Sequence, residues 1–310
     1  MSVAARSRWW LPAIATAAAA LLASPAPAAD PLTVCMAEDN PPLSWRAGTE
    51  DRGLDVQVAR AIAKALDRDL RVVFFESKYE RESTLAHEVN ALLSSGVCEL
   101  ASGYALLATE LGPPTRPTAK TPDYPGAKRR PLRPWVPLGT LVATRPYHAA
   151  AMGLVVRDAA RQTATLAEPG DARIGIVTGT VAGTAASLYR NGRLRPQLVT
   201  LAQNEDVLEA LEAGRVDAAL VMFDRYDAWR IAHPQSALRR AAYVHPLRIN
   251  VGFVARAESA PTVAVADRVI DAARASGELQ RWSEASGATW IAPVEPAVGP
   301  AIGLPDLMRE

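Results

Sequence analysis

The chain has 310 residues, with 34 Lys and Arg against 33 Asp and Glu and a formal net charge of +1. Near-neutrality excludes a global attraction to nucleic acid or anionic membranes. The length points to two domains, each large enough to bury a core.

The N-terminus stands apart. Arg6 and Arg8 lead into WWLPAIATAAAALLA, and SPAPAAD follows with small residues in A-x-A register. This pattern predicts a cleavable secretory signal over 1–29, with a membrane anchor as the alternative, and a mature chain that is soluble outside the cytoplasm. The Ala-rich run contains Pro12 and is short for a membrane span.

LTVCM (32–36) reads as a strand. EDNPPLSW (38–45) follows as a Pro-rich loop carrying Glu38, Asp39 and the ring of Trp45. In GLDVQVARAIAKAL (53–66), Val56, Ala59, Ile62, Ala63 and Leu66 recur at helical spacing. LRVVFFE (70–76) is a second strand, with Tyr79 just beyond it. STLAHEVNALLSSG (83–96) is a helix with Ser83 as its N-cap and Gly96 at its end. CELASGY (98–104) gives a third strand, with Ser102, Gly103 and Tyr104 near its end. Such alternation implies βαβ units and a mostly parallel sheet. Ligands of open α/β sheets sit beyond strand ends, which makes the acidic, aromatic first loop a docking place for a small molecule. Cys35 and Cys98 are the only cysteines, an even number in a chain bound for an oxidising compartment. They bridge if their strands are neighbours; two buried thiols are the alternative.

Segment 112–138 breaks the rhythm with eight prolines and six Lys or Arg against one Asp. Proline removes donors and fixes φ, which excludes regular helix or central strand. The segment is either a solvated, semi-rigid insertion or a docking arm carrying Arg129, Arg130, Arg133 and Trp135. After it, 141–157 is strand-like and RIGIVTGT (173–180) is a strand and loop. TAASLYRNG (184–192) is a short helix and QLVTLA (197–202) a strand. NEDVLEALEAG (204–214) is a helix capped by Asn204, and RVDAALVM (215–222) a strand. RINVGFVAR (248–256) is extended, and 262–277 and 278–286 are terminal helices. The economical arrangement is two α/β lobes, 30–147 plus 254–310 and 148–253, with crossings near 146–153 and 249–254. The terminal helices pack on the first lobe, and a hinged cleft separates the two.

In this order the motifs resemble the periplasmic solute-binding proteins of family 3, the type II fold serving polar amino acid ABC transporters. The resemblance covers 31–110 and 141–290. It rests on PPLSW with GLDVQVARAIAKAL, ALLSSGVCELASG, TRPYHAAAMGLVVR, VTGT, LEALEAGRVDAALV and ASGELQRWSEASG. It implies a cleft that closes on a small polar ligand, a monomer, delivery to a membrane permease, no catalysis and no cofactor. Carried over residue by residue, it places Glu38 and Trp45 at the cleft mouth and Ser102, Gly103 and Tyr104 against the ligand. Thr180 starts a second-lobe helix whose backbone donors favour an anion. Apart from the resemblance, Tyr79 past the second strand is a further candidate for ligand contact.

Three positions depart from the family pattern. Where α-amino acid binders carry a Thr and an Arg after the third strand, this chain has Ala105 and Glu110. The Arg would clamp an α-carboxylate through a charge-assisted fork; a register shift would let Arg129 or Arg130 replace it. The amino-group-binding Asp is Met222, with Asp224 close by. The departures move the chain toward binding-protein-like accessory proteins of periplasmic quinoprotein dehydrogenases. These share the Val-Cys of the first strand and the Gly-x-Cys before the third, here Cys35 and Gly96 with Cys98. That resemblance implies a dehydrogenase partner as the alternative to a permease.

Catalytic patterns are lacking. His87, His148, His233 and His245 are scattered without metal-ligand spacing, and no nucleophile-elbow, zincin or P-loop motif occurs. The run KRR at 128–130 is too short for nucleic acid binding.

Overall fold

The computed structural model describes residues 1, 30–77, 84–157, 164–167 and 170–309. The expected signal segment, Ser83 and Tyr79 lie outside the described residues. Among those described, no helix is long and apolar enough to cross a membrane.

The chain opens with β1 (Leu32–Ala37), the hairpin β2 (Trp45–Ala47) and β3 (Glu50–Arg52), and α1 (Leu54–Ala65). Then come β4 (Leu70–Phe75), α2 (Leu85–Ser94) and β5 (Leu100–Ala105). The Pro-rich segment contributes β6 (Thr118–Ala119) and β7 (Val136–Pro137), and β8 (Leu141–Ala143) leads into β9 (His148–Val156). Next are β10 (Ile174–Val177), α3 (Val181–Leu188), β11 (Leu198–Leu201), α4 (Val207–Glu212), β12 (Ala218–Met222) and α5 (Phe223–Ala232). The long strand β13 (Arg239–Arg256) precedes α6 (Ala260–Ala275), α7 (Glu278–Ala285) and α8 (Leu304–Leu307).

The main sheet runs β11-β10-β12-β9-β13-β5-β1-β4, with β8 also on β13. The strands β1, β4 and β5 are parallel to one another, as are β10, β11 and β12. The antiparallel strands β9 and β13 join these two halves, so the expected lobes are linked by one unbroken hydrogen-bonded path. The ladder between them slips twice, between Arg240 and Val244 and between Val244 and Arg248. Pro246 falls in the second slip, where a missing donor costs no ladder bond.

Each half buries its own cores. In the first, α1, α6 and α7 cover one face, with Leu54, Ile62, Ile270 and Leu279 packed around Leu32, Val34 and Phe253. The other face packs α2, through Val89, Leu92 and Leu93, against Cys35, Phe75 and Val254. Burying one such side chain fully is worth about 1.5–3 kcal/mol. In the second half α3 packs on one face, through Ala182, Ala185 and Ala186. Leu208 and Leu211 of α4 and Tyr226 of α5 pack on the other. Cys35 and Cys98 are bonded, with Cα atoms 5.6 Å apart; β1 and β5 are neighbours, which aligns them.

Two helix starts differ from expectation. Thr84 caps α2 by accepting from the His87 amide, and Asp206, not Asn204, caps α4 by accepting from the Leu208 amide. The shorter reach from Asp206 wins because its carboxylate also meets the helix dipole.

After α7 the chain returns across both halves. The Thr289 amide and hydroxyl donate to buried Asp227 of α5, at 2.5 and 2.8 Å. The Asn250 amide nitrogen reaches the carbonyls of Val294, Pro296 and Ala297, at 2.7, 3.2 and 3.0 Å. Gly299 pairs with the chain beyond β5, donating to Leu106 O at 2.8 Å and accepting from Ala108 N at 2.9 Å. Ile302 and Leu307 then pack on the second half's core.

Candidate functional site

The turn after β1 is braced by its own polar groups. Ser44 Oγ donates to Ala37 O at 2.8 Å, and the Leu43 and Ser44 amides both donate to Asn40 O at 2.9 Å. Asp39 at its tip has φ 51°, in the left-handed region that Asp tolerates. This tip faces α5 of the other half across a cavity of about 420 Å³. Asp39, Asn40 and Pro41 line one side; Asp206, Asp224, Arg225, Trp229 and His233 line the other.

The cavity is acidic. Asp206 accepts from Arg225 Nη2 at 2.5 Å, and the same guanidinium also favours the Asp224 carboxylate; among the described residues lining the cavity, Arg225 is the one guanidinium facing three carboxylates. Burial pushes the Asp224 carboxyl above the usual carboxylate range, opposed by the Arg225 amide and then by its own amide. Trp229 and His233 stack face to face with centroids 3.7 Å apart, forming a flat aromatic wall. A small polar ligand carrying positive charge meets both Coulomb and cation–π attraction here.

A second, closed space of about 20 Å³ lies deeper, between Pro42, His148, Phe223, Asp224 and Thr289. Burial holds the His148 imidazole down at about 4, and its Nδ1 has no hydrogen-bond partner among the described residues. Among the described residues no cluster of His, Cys, Asp or Glu fits a metal ion.

Of the residues expected to contact the ligand, Asp224 lines the 420 Å³ cavity, together with Asp39 of the acidic first loop. Glu38 is exposed beside Asp39. Trp45 is half-buried on β2, paired with Arg52. Thr180 is spent on capping α3, accepting from the Gly183 amide at 3.0 Å and donating to Val177 O at 2.8 Å. Met222 is half-buried against the second half's core.

Ser102 and Gly103 belong to a buried brace. Ser102 Oγ and Tyr147 Oη donate to the two Asp55 carboxylate oxygens, each at 2.7 Å. The Gly103 amide donates to Tyr147 Oη at 3.0 Å. Tyr104 does not stand on the cleft wall as expected. Its ring is buried with Cys35, Phe75 and Leu92, and its hydroxyl donates to Glu110 O at 3.1 Å. Gly103, at φ 66°, sits at a register shift between β5 and β13. This bulge breaks the alternation, so Tyr104 turns to the α2 side with Ala101.

The four proposed docking residues also divide. Arg133 is buried and cannot dock: it donates to Lys128 O at 2.6 Å and Thr121 O at 2.9 Å, and pairs with Asp123. Arg130 lies 3.5 Å from buried Glu88, while Arg129 and Trp135 are exposed.

Sequence reading overlooked Arg225 and Trp229 because it missed α5. FDRYDAWRIA follows a strand without a turn and mixes charges into its apolar positions, so no clear stripe marks it; Phe223 and Tyr226 at i, i+3 were the available signal.

No protein-family model and no curated protein matches the sequence. Among solved structures, the chain is similar to the L-cystine solute receptor of Neisseria gonorrhoeae in its unliganded open conformation. Identity is 16 %, the TM-score is 0.58, and the match covers 86 % of this chain and 96 % of that one. It is also similar to an ancestral cationic amino acid solute-binding protein (15 %, TM-score 0.55, 82 % and 95 % covered). A third is substrate-binding domain 2 of GlnP from Lactococcus lactis, in the open conformation (13 %, TM-score 0.55, 82 % and 94 % covered). The fold is therefore the two-lobe periplasmic binding protein type II fold.

Proposed function

We propose that the protein is an exported solute-binding protein that captures a small polar, positively charged ligand between its lobes and delivers it to an ABC-type permease. One observation carries this reading: Asp39 from one half and Asp206 and Asp224 from the other surround a single cavity whose one guanidinium, among the described residues, is Arg225. A cation placed there offsets the desolvation that pushes the Asp224 carboxyl up, and lobe closure brings the two walls together. The fold supports a binding role, and the stacked Trp229 and His233 rings beside the three carboxylates support a ligand held through its cationic end.

Thermal shift and calorimetry with L-arginine, L-lysine and putrescine, against L-glutamate and succinate, test the reading. Saturable stabilisation by the cationic set alone is expected, about 2.7 kcal/mol at a hundredfold excess over Kd. Equal stabilisation by glutamate, or none by any probe, overturns it.

A further inference from the structure

We propose that the tip of the Pro-rich segment docks on an anionic lipid surface. The segment is a rigid platform, not a solvated arm. Arg133 staples it internally through Lys128, Thr121 and Asp123. The β6–β7 ladder closes it, Asn90 of α2 grips Gly139 through both its amide atoms, and Asp123 pairs its backbone with Glu76 just beyond β4.

On this frame two large apolar side chains stand off the surface: Leu132 is 70 % exposed and Trp135 58 %. Cations surround them. Lys120 Nζ sits 5.4 Å from the Trp135 ring centroid, and Lys128 and Arg129 are exposed. Among the described residues no carboxylate lies within ion-pair distance of these three, whereas Arg133 and Arg130 spend their charge inward. A Trp and a Leu projecting through a ring of Lys and Arg match the bilayer boundary, where rings and aliphatic tips enter the acyl edge and cations meet phosphates. A shape-matched protein pocket would instead call for apolar side chains that lie against a formed groove; the cavity of about 240 Å³ beside Pro113 and Thr115 includes neither Leu132 nor Trp135 in its lining. The chain as a whole is nearly neutral, so the attraction is local. The platform is bonded to the chain just past β4, at the strand-end rim that the turn 38–45 shares, which would hold the cleft close to the membrane.

The test uses full-length protein from the soluble fraction, mixed with phosphatidylcholine vesicles with or without about one-third phosphatidylglycerol, at about 0.15 M salt. Sedimentation with the anionic vesicles alone is expected, with a blue shift of tryptophan emission. Leu132→Ser/Trp135→Ser and Lys128→Glu/Arg129→Glu each lower partitioning by at least about tenfold, with unchanged thermal midpoints. A photo-crosslinker at position 132 yields lipid adducts in cells. No sedimentation with anionic vesicles, sedimentation unaltered in both variants, or adducts to protein alone overturns the proposal.

Discussion

Asp55 and Tyr147 are joined by a 2.7 Å hydrogen bond that ties the first turn of α1 to the residue where the chain begins its first crossing. Ser102 completes the brace from β5. Burial raises the Asp55 carboxyl from 3.8 to about 6, against the opposing pull of the Ser102 and Tyr147 hydroxyls. The native state thus holds this proton more tightly than the unfolded chain does. The stability it contributes is complete below pH 3.8 and is lost as pH rises through about 6. Urea unfolding of wild type and Asp55→Asn between about pH 4 and about pH 7 reads this directly. Wild type should lose on the order of 3 kcal/mol relative to the variant across that window; parallel profiles would refute the brace as a proton-linked element.

Asp39→Asn and Asp224→Asn should each weaken binding of a cationic ligand about 10- to 100-fold, while Glu38→Gln changes it less than about threefold. Because the Asp224 carboxyl is pushed up by burial, affinity should also fall as pH is lowered, and the fall should vanish in Asp224→Asn. Calorimetry across pH supplies both readings, and an unaltered affinity in Asp224→Asn would remove this residue from the site.

The Cys35–Cys98 bond closes a loop with a sequence separation of 63. Replacing both cysteines by Ala should lower unfolding free energy by about 4 kcal/mol on the chain-entropy model. A loss below about 1 kcal/mol in denaturant titration would show that β1 and β5 are held chiefly by packing.

Arg133→Ala strands the Lys128 and Thr121 carbonyls and leaves Asp123 without its partner. The expected cost is about 2–4 kcal/mol, concentrated in 112–138. Limited proteolysis should then cut first within that segment. Cutting at wild-type sites and rates would show that the β6–β7 ladder suffices alone.

Asn250→Ala releases its grip on Val294, Pro296 and Ala297. Hydrogen exchange at 294–308 should rise by at least about tenfold, on the loss of roughly 2 kcal/mol of local protection. Unchanged exchange there would mean that the Gly299 pairing and α8 hold the tail unaided.

The sequence made the first half legible because its signals are local. Val56, Ala59 and Ile62 repeat at helical spacing, and the cysteine pair agrees with neighbouring strands. The candidate site was less legible because its walls depend on long-range geometry. Gly103 carries a bulge that no alternation rule anticipates, so Tyr104 falls on the core side. Arg133, surrounded by prolines and cations, looks like a solvent-facing charge until the fold wraps three acceptors around it. Asp39 was visible as half of an acidic pair, yet its partners Asp206 and Asp224 lie far along the chain and meet it only through the packing of α5.

The placement of β13 between β9 and β5 governs the order in which the chain becomes whole during synthesis. The half built on β10, β11 and β12 is made without interruption and has all of its own parallel strands before β13 is finished. The half made first must wait: the flank of β5 that β13 will occupy stays open, and α6 and α7 have not yet been translated to cover α1. Unpaired strand flanks invite association with other chains. A newly made chain therefore carries an uncovered strand flank on its oldest part.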